Sequence, residues 1–170
     1  MKFIDLCAEY EYFQQEIEES RDRILSSGRY LLGNETKNLE KAFQKRIVPG
    51  MYATAVKNCT DAIIIVLKKV LKKRPYAPII LPNFGAYPTA VAAANLTNNL
   101  HYVDVDDTYT IDTKKLPDLK NGIIIPVHLF GNNCNMIEIK EYARLNNHVI
   151  LEDCAQSTGS GSGHHGDYSV

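Results

Sequence analysis

The residues best placed to do chemistry lie just past an apolar run near the end of the chain. There Leu151-Glu152-Asp153-Cys154-Ala155-Gln156-Ser157 follows His148–Leu151. An acid at the end of a buried strand is costly unless a cationic or protonated group pairs with it. For Asp153 that partner could be a protonated ring nitrogen, which a carboxylate keeps charged so that the ring acts as an electron sink. A metal ion or an arginine would serve equally, and the pattern alone does not choose. Gln156, one turn on, could donate to a ring oxygen. A second segment, Lys57-Asn58-Cys59-Thr60-Asp61-Ala62, runs from an apolar stretch into a helix. Backbone N–H groups at such a start, with the Thr60 hydroxyl, make a cradle for an anion; plain helix capping by Thr60 or Asp61 explains the same residues. Phe84 and Tyr87, in Pro82-Asn83-Phe84-Gly85-Ala86-Tyr87-Pro88-Thr89, could stack on a flat heteroaromatic ring or merely pack at a rim. His128 is a possible acid or base, or a histidine held by hydrogen bonds at a strand end.

The elements that must position these residues alternate. The first fifty residues read as helical: Tyr12, Phe13, Ile17, Ile24 and Leu25 recur on one face until Gly28. A second helix begins near Asn34, taken as its N-cap, and presents Leu39, Ala42, Phe43 and Ile47 until Pro49-Gly50. Strands are then expected at Tyr52–Val56, Pro78–Leu81, Leu100–Val103, Gly122–Val127 and His148–Leu151. Helices are expected at about Asp61 to Lys72, Pro88–Ala94 and Met136–Leu145, and Tyr168-Ser169-Val170 reads as the start of a further strand. Runs such as Ile123-Ile124-Ile125, apolar on both faces, predict an α/β fold, a three-layer α/β/α arrangement around a mainly parallel sheet. In such sheets ligands bind beyond the carboxyl ends of the strands, where the segments above fall. Gly159–Gly163 reads as a loop of the site, not a linker. A parallel sheet does not normally stop at Val170, so an unpaired edge, and a chain prone to aggregate, are expected.

Composition narrows the function. The chain has 170 residues, 45% hydrophobic and 23% charged, with a net charge of −1. This fits an ordinary globular chain and supplies no electrostatic reason for a nucleic-acid or anionic-membrane partner. Lys68, Lys69, Lys72, Lys73 and Arg74 read as the solvated end of a helix. No apolar run reaches the roughly 20 residues of a membrane span, and Met1-Lys2-Phe3-Ile4-Asp5 lacks the form of a signal peptide. Cys7, Cys59, Cys134 and Cys154 are widely spaced, without a C-x-x-C pair. No metal site is expected, and reduced thiols in a cytoplasmic protein are. A nicotinamide-binding reading fails because no G-x-G-x-x-G follows the first expected strand.

Taken together, six segments resemble in order the nucleotide-sugar aminotransferases of the DegT/DnrJ type, within the fold-type I enzymes that use pyridoxal 5′-phosphate (PLP). They are Ser27–Gly33 followed by Leu39-Glu40, Asn58-Cys59-Thr60-Asp61-Ala62, Val103-Asp104-Val105, Pro126–Gly131, Leu151–Ser157, and Gly166-Asp167. Cys59 stands where the phosphate turn of the family commonly has Gly. The resemblance implies an N-terminal helical segment over residues 1–50 and a partial PLP-binding large domain, aspartate aminotransferase-like, over 51–170. It implies that Thr60 and Asp61 hold the cofactor phosphate, that Asp153 pairs with the pyridine nitrogen, and that Gln156 lies near the phenolic oxygen. It implies that Tyr87 stacks on the ring, with Phe84 as the fallback. The substrates it implies are a keto sugar linked to a nucleotide and an amino donor, usually glutamate, and the full-length form is expected to be a homodimer. The lysine that bonds the cofactor as a Schiff base is expected beyond Val170, so the chain is read as truncated, without a catalytic residue and inactive alone. Two alternatives stay open: a PLP-dependent sugar dehydratase of the same family, with His in the lysine position, and a non-catalytic remnant that binds a nucleotide or sugar phosphate.

Overall fold

The computed structural model describes residues 4–170; Met1–Phe3, the start of the expected helical segment and of the stretch read as no signal peptide, lie outside them. Helix α1 spans Leu6–Ser27 and α2 Asn34–Arg46. The Asp5 carboxylate caps α1 by accepting from the N–H groups of Cys7 and Ala8 at 3.2 Å. At the other end Gly28, at φ 63°, closes it in the left-handed conformation that glycine adopts without penalty. The start of α2 departs from expectation. Gly33 is its N-cap and Asn34 its first helical residue, so no side chain caps this end. Neither helix has a buried residue, and Phe13 and Ile17 on the apolar stripe of α1 are largely exposed.

The rest alternates as predicted: α3 (Cys59–Lys73), β1 (Ile79–Pro82), α4 (Tyr87–Ala94), β2 (Leu100–Val103), β3 (Ile123–Ile124), α5 (Met136–Asn146), β4 (Val149–Glu152) and β5 (Tyr168–Ser169). The strands form one five-stranded sheet in the order β2-β1-β3-β4-β5, and every pair in it is parallel. Because side chains alternate along a strand, β1 sends Ile79 and Leu81 to one face and Ile80 to the other. The first face packs on Ile63, Leu67 and Val70 of α3 and Ala92 and Ala93 of α4. The second meets Met136, Ile139 and Ala143 of α5. The fold is therefore three layers, and each fully buried Ile or Leu contributes about 1.5–3 kcal/mol.

One expected strand is absent as such. Residues 52–56 form no regular element and are hydrogen-bonded to no strand, and Tyr52 is 97% exposed. Alternating small and β-branched residues favour an extended backbone, but a strand also needs a partner along its edge, and none of the described strands lies there.

At the amino end of β4, His148 is buried and stacked on Tyr142, with ring centroids 4.9 Å apart. Its Nδ1 accepts from the Gly122 N–H at 2.9 Å. Burial holds its pKa below the ordinary 6.5, and Arg74 adds to the effect. The unfolded chain therefore binds the extra proton first. Stability is expected to be complete above about pH 6.5 and to fall as pH drops below it. Urea midpoints at pH 7.5 and 5.5 should differ in that sense, and His148→Phe, less stable at pH 7.5, should lose that part of the slope.

Candidate functional site

The carboxyl ends of the strands converge on Asp153. The residue sits one position beyond β4, where its backbone joins the neighbouring segment: its N–H donates to Pro126 O at 2.9 Å, and its carbonyl accepts from the His128 N–H at 3.0 Å. The side chain is 3% exposed. Oδ2 accepts from the Thr89 hydroxyl at 2.6 Å, Oδ1 accepts from the Ala155 N–H at 3.2 Å, and the Cys59 thiol lies 3.8 Å from Oδ1. Among the described residues no ion pair involves Asp153. The arginine partner that the sequence left open is thus not found there.

Helix α3 brings the anion cradle to the same place. Its N-cap is Asn58, not Thr60 or Asp61: Asn58 Oδ1 accepts from the Asp61 N–H at 2.8 Å, and Asn58 O accepts from Ala62 at 3.1 Å. Asn58 has the extended backbone an N-cap requires, whereas Thr60 and Asp61 are already helical. The N–H groups of Cys59 and Thr60, ahead of the intrahelical ladder, remain to face an anion. Burial first, and then the Asp153 carboxylate, push the Cys59 thiol up to about 11, so it stays protonated and can donate toward that carboxylate.

The other expected residues spread around this centre. Tyr87 opens α4 and is 80% exposed; with Asn83, Thr89 and Val127 it lines a cleft of about 190 Å³. Phe84 instead leans on Tyr109, with centroids 5.8 Å apart, and Tyr109 meets Phe130 edge-on at 6.1 Å. Gln156 Oε1 accepts from the Phe130 N–H at 2.8 Å, which leaves its amide N–H groups as the donors for a ligand.

Four residues here were not singled out from the sequence. Thr89 fixes the Asp153 carboxylate, and a threonine inside an alanine-rich helix carries no sequence signal for that role. Tyr109 and Phe130 both have left-handed backbones, at φ 62° and 57°, which no local pattern announces. Glu152 is fully buried and accepts from His128 Nε2 at 3.0 Å, Gly163 N at 3.1 Å, His165 N at 2.7 Å and Gly166 N at 2.6 Å. It thereby folds the Gly159–Gly163 loop back onto the sheet. The Cys134 N–H donates to His128 Nδ1 at 3.0 Å, so both ring nitrogens are engaged and His128 serves structure. Cys154 lies beside this pair: His128, Glu152 and Cys154 bring ligand atoms within 4.8 Å of one another, but hydrogen bonds already occupy the His and Glu. The four cysteines are free thiols, and no helix of the described residues is long and apolar enough to cross a membrane.

Comparison with known proteins agrees with this geometry. Residues 11–167 match the DegT/DnrJ/EryC1/StrS aminotransferase family. A dTDP-3-amino-3,6-dideoxy-alpha-D-galactopyranose transaminase of Aneurinibacillus thermoaerophilus is 31% identical over 162 residues, 93% of this chain and 44% of the relative. A UDP-2-acetamido-2-deoxy-3-oxo-D-glucuronate aminotransferase of Pseudomonas aeruginosa is 32% identical over 164 residues, 94% of this chain and 45% of the relative. Among solved structures, a DegT DnrJ EryC1 StrS aminotransferase from Brucella abortus superposes with a TM-score of 0.79 at 28% identity. That match covers 92% of this chain and 44% of the other. The chain thus spans less than half the length of the curated relatives it matches.

Proposed function

Because the chain belongs to the DegT/DnrJ/EryC1/StrS aminotransferase family, we propose that it forms the cofactor-binding part of a PLP-dependent transaminase acting on a nucleotide-linked keto sugar. The observation that carries this reading is Asp153: a buried carboxylate, aligned by Thr89, with no cationic partner among the described residues. Such a group needs a positive charge brought to it, and a protonated ring nitrogen fits. Bound PLP would supply the electron sink for the carbon that exchanges its amino group.

The chain's own residues hold and orient that group. The N–H groups of Cys59 and Thr60 at the start of α3, with Thr60 and Asp61 beside them, take the phosphate. Asp153 keeps the ring nitrogen protonated. Gln156 donates to the phenolic oxygen, and Tyr87 covers a ring face, swinging in from its exposed position. The lysine that bonds the cofactor and carries protons is placed in polypeptide following these residues, and the whole protein works as a homodimer on a nucleotide sugar with glutamate as donor.

The test is a titration with PLP followed by an assay with glutamate and a UDP- or dTDP-linked keto sugar, read by mass spectrometry. Weak PLP binding and no turnover are expected of the 170 residues, and amino-sugar formation of the full-length polypeptide. If the full-length polypeptide binds nucleotide sugar but leaves PLP fluorescence unchanged, the reading is wrong.

A further inference from the structure

The Asp153 carboxylate accepts hydrogen bonds on both oxygens, and the donors are unequal. Oδ2 accepts from the Thr89 hydroxyl at 2.6 Å, within the short range of a bond from a hydroxyl to a charged oxygen. An ionised carboxylate only accepts, so the Thr89 hydrogen has to lie on that line. Thr89 is buried, and its backbone is fixed in the first turn of α4, where its N–H donates to Ala86 O at 3.2 Å. Ala92 and Ala93 anchor the same helix in the core. A β-branched side chain on a fixed backbone has little freedom to turn away. Oδ1 takes the weaker donors, the Ala155 N–H at 3.2 Å and the Cys59 thiol of α3 at 3.8 Å.

Burial works against the charge that Asp153 needs. Away from water, a carboxylate beside a protonated ring nitrogen can take that proton onto its own oxygen, which leaves a neutral acid and a neutral ring. Hydrogen bonds donated to the carboxylate favour its charged form and oppose that transfer. We propose that Thr89 is the positioning residue that keeps this proton on the ring nitrogen of the cofactor, with Cys59 as a weaker second donor on the other carboxylate oxygen. The inference rests on the PLP reading above. One hydrogen bond from a hydroxyl to a charged group moves such a proton balance by about 10- to 100-fold. A thiol, a weak donor at the long end of its range, moves it by about threefold at most.

The full-length polypeptide loaded with PLP carrying a nitrogen-15 label in the ring tests this, because the nitrogen resonance differs widely between a protonated and a neutral ring. The wild type should give the protonated value. Thr89→Val, which keeps the shape and removes the hydroxyl, should move the resonance toward the neutral value and cut turnover about 10- to 100-fold. Thr89→Ser should restore both, and Cys59→Ala should leave the resonance nearly in place. Melting temperatures taken alongside separate this from a loss of stability, which by itself leaves the resonance where it was. If Thr89→Val does not fold, Thr89→Ala against Thr89→Ser makes the same comparison. A resonance that stays at the protonated value without the hydroxyl overturns the role of Thr89 and leaves the PLP reading standing, as does a neutral ring in the wild type. A shift in Cys59→Ala as large as that in Thr89→Val overturns the ranking of the two donors. A wild type that takes up no PLP overturns the PLP reading and this inference with it.

Discussion

Replacing Glu152 with alanine is expected to lower the unfolding free energy by about 4 kcal/mol, a large part of the about 5–15 kcal/mol that a folded domain commonly has. The carboxylate accepts from His128 Nε2 and from the N–H groups of Gly163, His165 and Gly166. Because Cys134 donates to His128 Nδ1, the ring proton sits on Nε2, and truncation strands it in a site with no water access. Each stranded donor costs about 1–3 kcal/mol. Urea denaturation of Glu152→Ala measures the sum, and a loss below about 1 kcal/mol would show that the loop is held by other contacts. Acid should act through the same group. Burial alone would raise the Glu152 pKa, but the hydrogen bonds from His128 and the three backbone N–H groups outweigh it and bring it from 4.5 to about 2. The unfolded chain therefore takes up this proton first as pH falls. The contribution is whole above about pH 4.5 and disappears as pH falls through about 2.

Under the proposed function, Asp153→Asn in the whole protein is expected to cut transamination about 10²–10³-fold, the equivalent of about 3–4 kcal/mol lost from a buried charge pair. Asparagine keeps the size and the contact with Thr89 but removes the charge proposed to hold a ring nitrogen protonated. The fold should survive, because Thr89, Ala155 and Cys59 all touch atoms that an amide can replace. A melting temperature near that of the wild type, together with the rate loss, separates chemistry from stability. Full activity in Asp153→Asn would remove Asp153 from the proposed role.

Much of this architecture was legible because the relevant signals are local. Leu100–Val103 is bounded by polar neighbours and forms a strand with those bounds; α3 and α5 follow their apolar periodicity to within two residues of expectation. Asp153 was readable as an acid at the end of an apolar run. What escaped depends on distant partners. Residues 52–56 have strand composition, yet pairing is a property of two segments. Thr89 and Asp153 are 64 positions apart, and Glu152 gathers amides 11 to 14 positions downstream. Gly166 marks one such approach: a Cβ there would lie 2.8 Å from Ile150 Cγ2 and 3.0 Å from its carbonyl oxygen. A close backbone crossing of that kind leaves only a glycine in the sequence, and glycine has many other causes.

The order β2-β1-β3-β4-β5 also bears on how the protein is made. After the β1–β2 pair, β3 joins the free edge of β1, and β4 and β5 each join the edge of the strand before, so on the ribosome the sheet can grow in a single direction as the chain emerges. Of the two cores, the one that α3 and α4 make on β1 can begin to close as soon as β2 is out, whereas the opposite face of the sheet stays open until α5 has been made.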